Sequence, residues 1–242
     1  MILQIYDTVD EVLTGLANYF VDRAAQAIAE RDRFAVSLSG GSSPKKLYSL
    51  LASEPYRSMV QWEKIAFFFG DERYVPADNP ASNYLMVKEV LFEPLAIGGS
   101  QVYAVNTMLP PVEAADQYWN DIRNYFAEME PRFDLVLLGL GDDAHTASLF
   151  PNTSVLSEKE PAIRSVYVPG QQVYRITFTA PLINMAHNVA FLVYGESKAQ
   201  AVYAVLEEDR NTDNFPAQMI GPSAHEPVWF MDVAAARKIK QL

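Results

Sequence analysis

Short apolar runs that end at glycine-led polar turns and then give way to amphipathic stretches recur along this chain, and this repeat constrains its fold more than any other feature. Phe34 to Leu38 reads as a strand that stops at Ser39-Gly40-Gly41-Ser42-Ser43, with Pro44 set to open a helix through about Leu51. Lys64 to Phe69 reads as a buried strand ending in Gly70-Asp71-Glu72-Arg73, after which Ser82 can cap a helix through about Phe92. Phe133 to Leu138 runs into GLGDDAHTASLFP, and Val189 to Tyr194 into Gly195-Glu196-Ser197-Lys198 and a helix through about Leu206.

Around these units, apolar residues at Val9, Val12, Leu13, Leu16, Phe20, Ala24, Ala27 and Ile28 keep a 3.6-residue period and predict a helix over about 8–31. A second helix is expected over about 111–129, and strands at Val102 to Val105, Ile163 to Val168, Val173 to Thr179 and Val228 to Met231, before a closing helix. Alternating βα units of this length predict an α/β fold with a mostly parallel sheet covered by helices on both faces. The 15 prolines are scattered and no linker interrupts the pattern, so residues 1–242 read as a single domain.

The sum of 19 basic and 30 acidic residues is −11, which disfavours nucleic acid and anionic membranes as partners and requires a local cationic pocket for any anionic ligand. The absence of cysteine excludes a disulfide framework, a thiolate nucleophile and a cysteine zinc site. The first ten residues lack a basic leader pattern and the longest apolar runs fall far short of a membrane span, so a cytoplasmic protein is expected.

In an open parallel sheet, ligands bind beyond the carboxyl ends of the strands. SGGSSP, GDERYVP, GLGDDAHTAS and the Gly195–Lys198 turn all fall at such ends and are expected in one crevice. SGGSSP reads either as an anion cradle, with glycines, hydroxyls and a helix amino end, or as an ordinary βα turn. Gly139-x-Gly141-x-x-Ala144 formally matches a dinucleotide fingerprint, but Asp142 and Asp143 would face the pyrophosphate and the turn comes too late in the chain.

His145, two residues after Asp143 in that polar turn, is the candidate general base, whereas His187 and His225 are read as structural or surface residues. Asp71, Glu72, Asp142, Asp143 and His145 can be drawn as a divalent-metal site, but no metal-binding spacing supports one and no metal or cofactor is expected. Arg73, Arg175 and Lys198 are candidate cations for a phosphate, with solvated surface charge as the alternative for each.

Taken in order, SLSGGSSPKKLY, FFFGDERYVPADNPASNY, LLGLGDDAHTASLFP, YRITFTAPLINMA, FLVYGESKAQAV, FPAQMI and WFMD resemble the glucosamine-6-phosphate isomerase/6-phosphogluconolactonase family over nearly the whole chain. The resemblance implies a three-layer Rossmann-like fold shared with ribose-5-phosphate isomerase and CoA transferases. It implies cofactor-free hydrolysis of 6-phospho-D-glucono-1,5-lactone; a small-molecule substrate and a monomer or homodimer are expected.

It also implies His145 as catalytic histidine, with Asp143, Asp71 and Arg73 beside it, and Gly40, Gly41, Ser42, Arg175 and Lys198 as sugar-phosphate contacts. The carboxylate that orients His145 is then Asp143 or Asp71, and Arg73 serves the phosphate or the oxyanion. A related deaminase would carry a glutamate where this chain has Phe150, and an isomerase or deaminase would use Asp71 to move a carbon-bound proton. A non-catalytic sugar-phosphate sensor should carry a DNA-binding module, and this acidic sequence, without a basic arm or spare helix-turn-helix segment, argues against one. Two positions depart from the family pattern: Ala144 stands where glycine is usual and Asp142 where proline is frequent. An alanine held at positive φ there would cost about 1 kcal/mol or shift the loop.

Overall fold

The computed structural model describes residues 1–127, 129–221 and 226–240. The strands among them are β1 (Ile2–Tyr6), β2 (Phe34–Leu38), β3 (Ile65–Phe69), β4 (Asp71–Arg73), β5 (Leu135–Leu138), β6 (Ile163–Val168), β7 (Val173–Phe178), β8 (Val189–Val193) and β9 (Val228–Asp232). The α-helices are α1 (Val9–Arg31), α2 (Ser42–Leu51), α3 (Tyr56–Met59), α4 (Asn83–Val87), α5 (Glu93–Leu95), α6 (Pro111–Phe126), α7 (Ala180–Asn184), α8 (Ala199–Leu206) and α9 (Val233–Ala236).

Six strands form a wholly parallel sheet in the order β1-β9-β8-β5-β2-β3. Its central strands are continuous apolar runs because both faces are covered, and the two-residue alternation sends successive side chains to opposite layers. Phe34, Val36 and Leu38 of β2, with Phe67 and Phe69 of β3, pack toward α1 and α2. Ala35, Phe68, Val136 and Phe191 pack on the other side with Tyr118 and Ile122 of α6. Helix α1 begins at a capping box in which Thr8 and Glu11 bond reciprocally, a feature that contributes about 1 kcal/mol.

Three strands depart from the expected layout. β4, β7 and β6 form a separate antiparallel sheet, with α6 packed on β6 and β7, so the 163–168 and 173–178 runs do not belong to the parallel sheet. Asp71–Arg73, expected as a turn, is a short strand of that sheet because Gly70 O accepts from Phe178 N at 2.8 Å and carries the chain across to β7. The expected strand at Val102 to Val105 reduces to one bridge between Val102 and Phe67, and β1, which lacks a glycine turn to announce it, joins the sheet edge beside β9. The helix after Ser82 continues through a π-helical turn at Lys88–Phe92.

From β2 the chain continues to β3 on one side, while β5 pairs with β2 on the other, so the strand order reverses between β2 and β5. A crevice opens at such a reversal, beyond the carboxyl ends of the strands. Among the described residues no helix is long and apolar enough to cross a membrane.

Candidate active site

A cleft of about 310 Å³ opens at this reversal, walled by the loops that follow β2, β3, β5 and β8, four strands adjacent in the sheet. Eight of the nine residues expected from the sequence line it: Gly40, Gly41, Ser42, Asp71, Arg73, His145, Arg175 and Lys198. The ninth, Asp143, stands behind the imidazole, its Oδ1 against His145 Nδ1. His225 lies outside the described residues.

The loop carrying His145 is held at several points. Gly141 N donates to His145 O at 2.8 Å, closing a tight turn, and Thr146 Oγ1 donates to Gly139 O at 2.8 Å. A Cβ on Gly141 would collide with the His145 ring, so glycine is what lets the imidazole fold back over the turn. Ala144 takes the left-handed conformation, at φ 60°, that the family's usual glycine would favour; its methyl is buried and its carbonyl accepts from Ala217 N at 3.0 Å. The alanine is therefore accommodated, with the FPAQMI segment pinning the turn.

Asp143 Oδ1 also accepts from His145 N at 3.3 Å. Burial would raise this carboxyl, but the hydrogen bond and charge of His145 outweigh it and hold Asp143 below the usual aspartate range. The Asp71 carboxylate is engaged elsewhere: its Oδ2 accepts from Ser148 Oγ at 2.7 Å. Of the two aspartates, it is Asp143 that touches the imidazole. One face of the ring stacks on Phe150 at 4.1 Å between centroids, and the Arg175 guanidinium sits over the same phenyl ring.

The cleft also carries cationic side chains. Arg73 and Arg175 are register partners across β4 and β7, and each has a buried Nε without a partner among the described residues. Burial lowers the pKa of Arg175; Asp71 opposes that effect and Arg73 adds to it. Arg73 Nη1 donates to Ala81 O at 2.7 Å and Arg175 Nη2 to the Gln171 side chain, and among the described residues neither forms a salt bridge with a carboxylate. The start of α2 also lines the cleft, and its first-turn amides have no intrahelical acceptors.

Asn83 was not singled out in the sequence. It is buried, its Nδ2 donates to Asp71 O at 2.8 Å, and its Oδ1 has no partner. That amide fills the space a Cβ on Gly40 would need, which makes glycine at 40 a packing requirement. Only its place beside the capping Ser82 hinted at it. Glu72 is also buried, but it accepts from Arg73 N, Asn83 N and Tyr84 N and so anchors the start of α4 rather than facing the cleft. Among the described residues no group of three or more His, Asp or Glu side chains is arranged to hold a metal ion.

Acid–base and cationic groups gathered in one cleft at the reversal of a parallel sheet define an α/β enzyme. More particularly, the family model described as glucosamine-6-phosphate isomerases/6-phosphogluconolactonase matches residues 7–229, and the chain belongs to that family. It is 40% identical over 222 residues to the 6-phosphogluconolactonase of a Synechocystis strain, covering 90% of each chain. To the human 6-phosphogluconolactonase it is 36% identical over 243 residues, covering 98% of this chain and 93% of that one. The solved 6-phosphogluconolactonase of Trypanosoma cruzi superposes with a TM-score of 0.85 at 27% identity, covering 99% of this chain and 97% of that one.

Proposed function

We propose that this protein hydrolyses 6-phospho-D-glucono-1,5-lactone to 6-phospho-D-gluconate, with His145 as general base, as a step of the oxidative pentose phosphate pathway. The observation that carries this reading is the Asp143–His145 pair in the same cleft as Arg73, Arg175 and Lys198. A lactone is a cyclic ester, so its opening needs an activated water, a stabilised oxyanion and a proton for the departing ring oxygen.

Neutral His145, with Asp143 on Nδ1, takes a proton from water at Nε2 as the water oxygen attacks C1. The tetrahedral intermediate collapses by breaking the bond from C1 to the ring oxygen, which receives that proton, and the new carboxylic acid ionises to solvent. Asp143 stabilises the transient imidazolium. Arg73, Arg175 and Lys198, with the Gly40–Ser42 turn, hold the phosphate, so that binding energy remote from C1 fixes the attacking geometry, with Arg73 the alternative partner of the developing oxyanion. No step calls for a metal or cofactor. Phe150 stacked on His145 supports the lactonase over a deaminase, which would need a carboxylate at that position.

The test is hydrolysis of freshly made lactone, corrected for spontaneous opening and read through coupled 6-phosphogluconate dehydrogenase, with and without EDTA. We expect EDTA-resistant turnover and a kcat lower by about two to four orders of magnitude in His145→Ala. No turnover above background would sink the lactonase reading; an unchanged kcat in His145→Ala would remove His145 from the mechanism.

A further inference from the structure

Asp142 takes no part in the chemistry above, yet it touches one of the cations of the cleft. It lies in the loop after β5 with its side chain 74% exposed, and its Oδ1 accepts a hydrogen bond from Lys198 Nζ at 2.7 Å. Lys198 comes from the turn after β8, and this turn is fixed from beneath. Gly195 N donates to both Asp232 oxygens, at 3.0 and 3.1 Å, and Lys198 N donates to Gly195 O at 3.0 Å. The pair therefore bridges two loops whose strands are neighbours in the sheet.

Lys198 differs from the other cations of the cleft. Among the described residues neither Arg73 nor Arg175 has a carboxylate partner, while the Lys198 ammonium is already paired. We propose that Asp142 is a competing anion that sets the affinity of the cleft for a phosphoryl group: it holds Lys198 in the empty site and must share or surrender the ammonium when phosphate arrives. The proposal rests on the reading of Lys198 as a phosphate contact.

The competition is winnable because an exposed lysine–carboxylate pair is weak in water, whereas a phosphate dianion is drawn by two arginines as well. Asp142 opposes bound substrate and transition state alike, since the phosphate does not react, so its effect falls on KM rather than kcat. It also opposes the product, which keeps the phosphate and gains a carboxylate, and so favours release.

The experiment measures the Kd for inorganic phosphate and for 6-phosphogluconate, and the KM for lactone, in Asp142→Asn, Asp142→Glu, Lys198→Ala and the Asp142→Asn/Lys198→Ala double variant. Asp142→Asn should bind phosphate about three- to tenfold more tightly and lower KM in proportion, a gain that shrinks in roughly 0.5 M salt. Asp142→Glu should stay near wild type. Lys198→Ala should weaken binding and abolish the benefit of Asp142→Asn.

If Lys198→Ala leaves phosphate affinity unchanged, Lys198 is no phosphate contact and both readings fall. If it weakens affinity while Asp142→Asn leaves affinity unchanged or lower, the competition alone is overturned and Asp142 instead positions the lysine. If Asp142→Asn still tightens binding without Lys198, Asp142 acts as general surface charge and the proposal is likewise overturned.

Discussion

Arg73 and Arg175 stand directly opposite each other across β4 and β7, two like charges in register, and among the described residues neither forms a salt bridge with a carboxylate and each Nε is buried without a partner. Such an arrangement costs roughly 0.2 to 1 kcal/mol in a sheet. Under the proposed function, the phosphate of the substrate would supply the missing partner.

Arg73→Ala and Arg175→Ala should therefore separate binding from stability. Each should raise KM for the phosphorylated lactone by roughly ten- to a hundredfold, the loss of a charge-assisted contact. Tm should hold or rise as the repulsion is relieved. Steady-state kinetics beside thermal melts test this; a KM unmoved in both variants would take the phosphate away from this pair.

Gly141→Ala places a methyl where the His145 ring now lies. The substitution should lower kcat by about a hundredfold through displacement of the imidazole, while far-UV circular dichroism stays native. Normal kcat would mean that the ring position is not what catalysis needs.

Asp143 is an aspartate whose pKa is lowered in the fold by His145. Its stabilisation is then present above the unfolded value and is lost as pH falls through the lower folded value. Asp143→Asn should melt below wild type across about pH 5 to 8. The two melting curves should converge only below the ordinary aspartate value of 3.8. Parallel melts from neutral to acid pH measure the gap, and a gap that grew on acidification would contradict the assignment.

For Ala144→Gly, opposing contributions nearly cancel. Glycine relieves about 1 to 2 kcal/mol of left-handed strain, but loses a buried methyl worth about 0.8 kcal/mol and adds chain entropy of about 0.5 to 1 kcal/mol. Stability should change by less than about 1 kcal/mol and kcat by less than about threefold, since the loop already holds the glycine-like conformation. A tenfold gain in kcat would show that Ala144 distorts the loop.

The sequence named most of the cleft. The βα repeat marked the loops that wall it, and residue chemistry picked out His145, Arg73, Arg175 and Lys198. Asn83 escaped because an amide beside a helix cap carries no pattern of its own; only the close approach of Gly40 gives it meaning. Asp71–Arg73 reads as a turn in the sequence because so short a strand has no periodicity, and its pairing lies with a distant segment.

By itself the sequence determined the parallel α/β core, the strand-end loops and the chemical types in them, because strand and helix periods and turn preferences are local properties of the chain. The tertiary structure alone decided that β6 and β7 leave the parallel sheet, that Arg73 faces Arg175, that Asp143 touches His145 while Asp71 is held by Ser148, and that Asp142 pairs with Lys198. Strand order, register and cross-loop contacts join segments far apart in the chain, and they are fixed by which packing buries the apolar faces together rather than by any short stretch of residues.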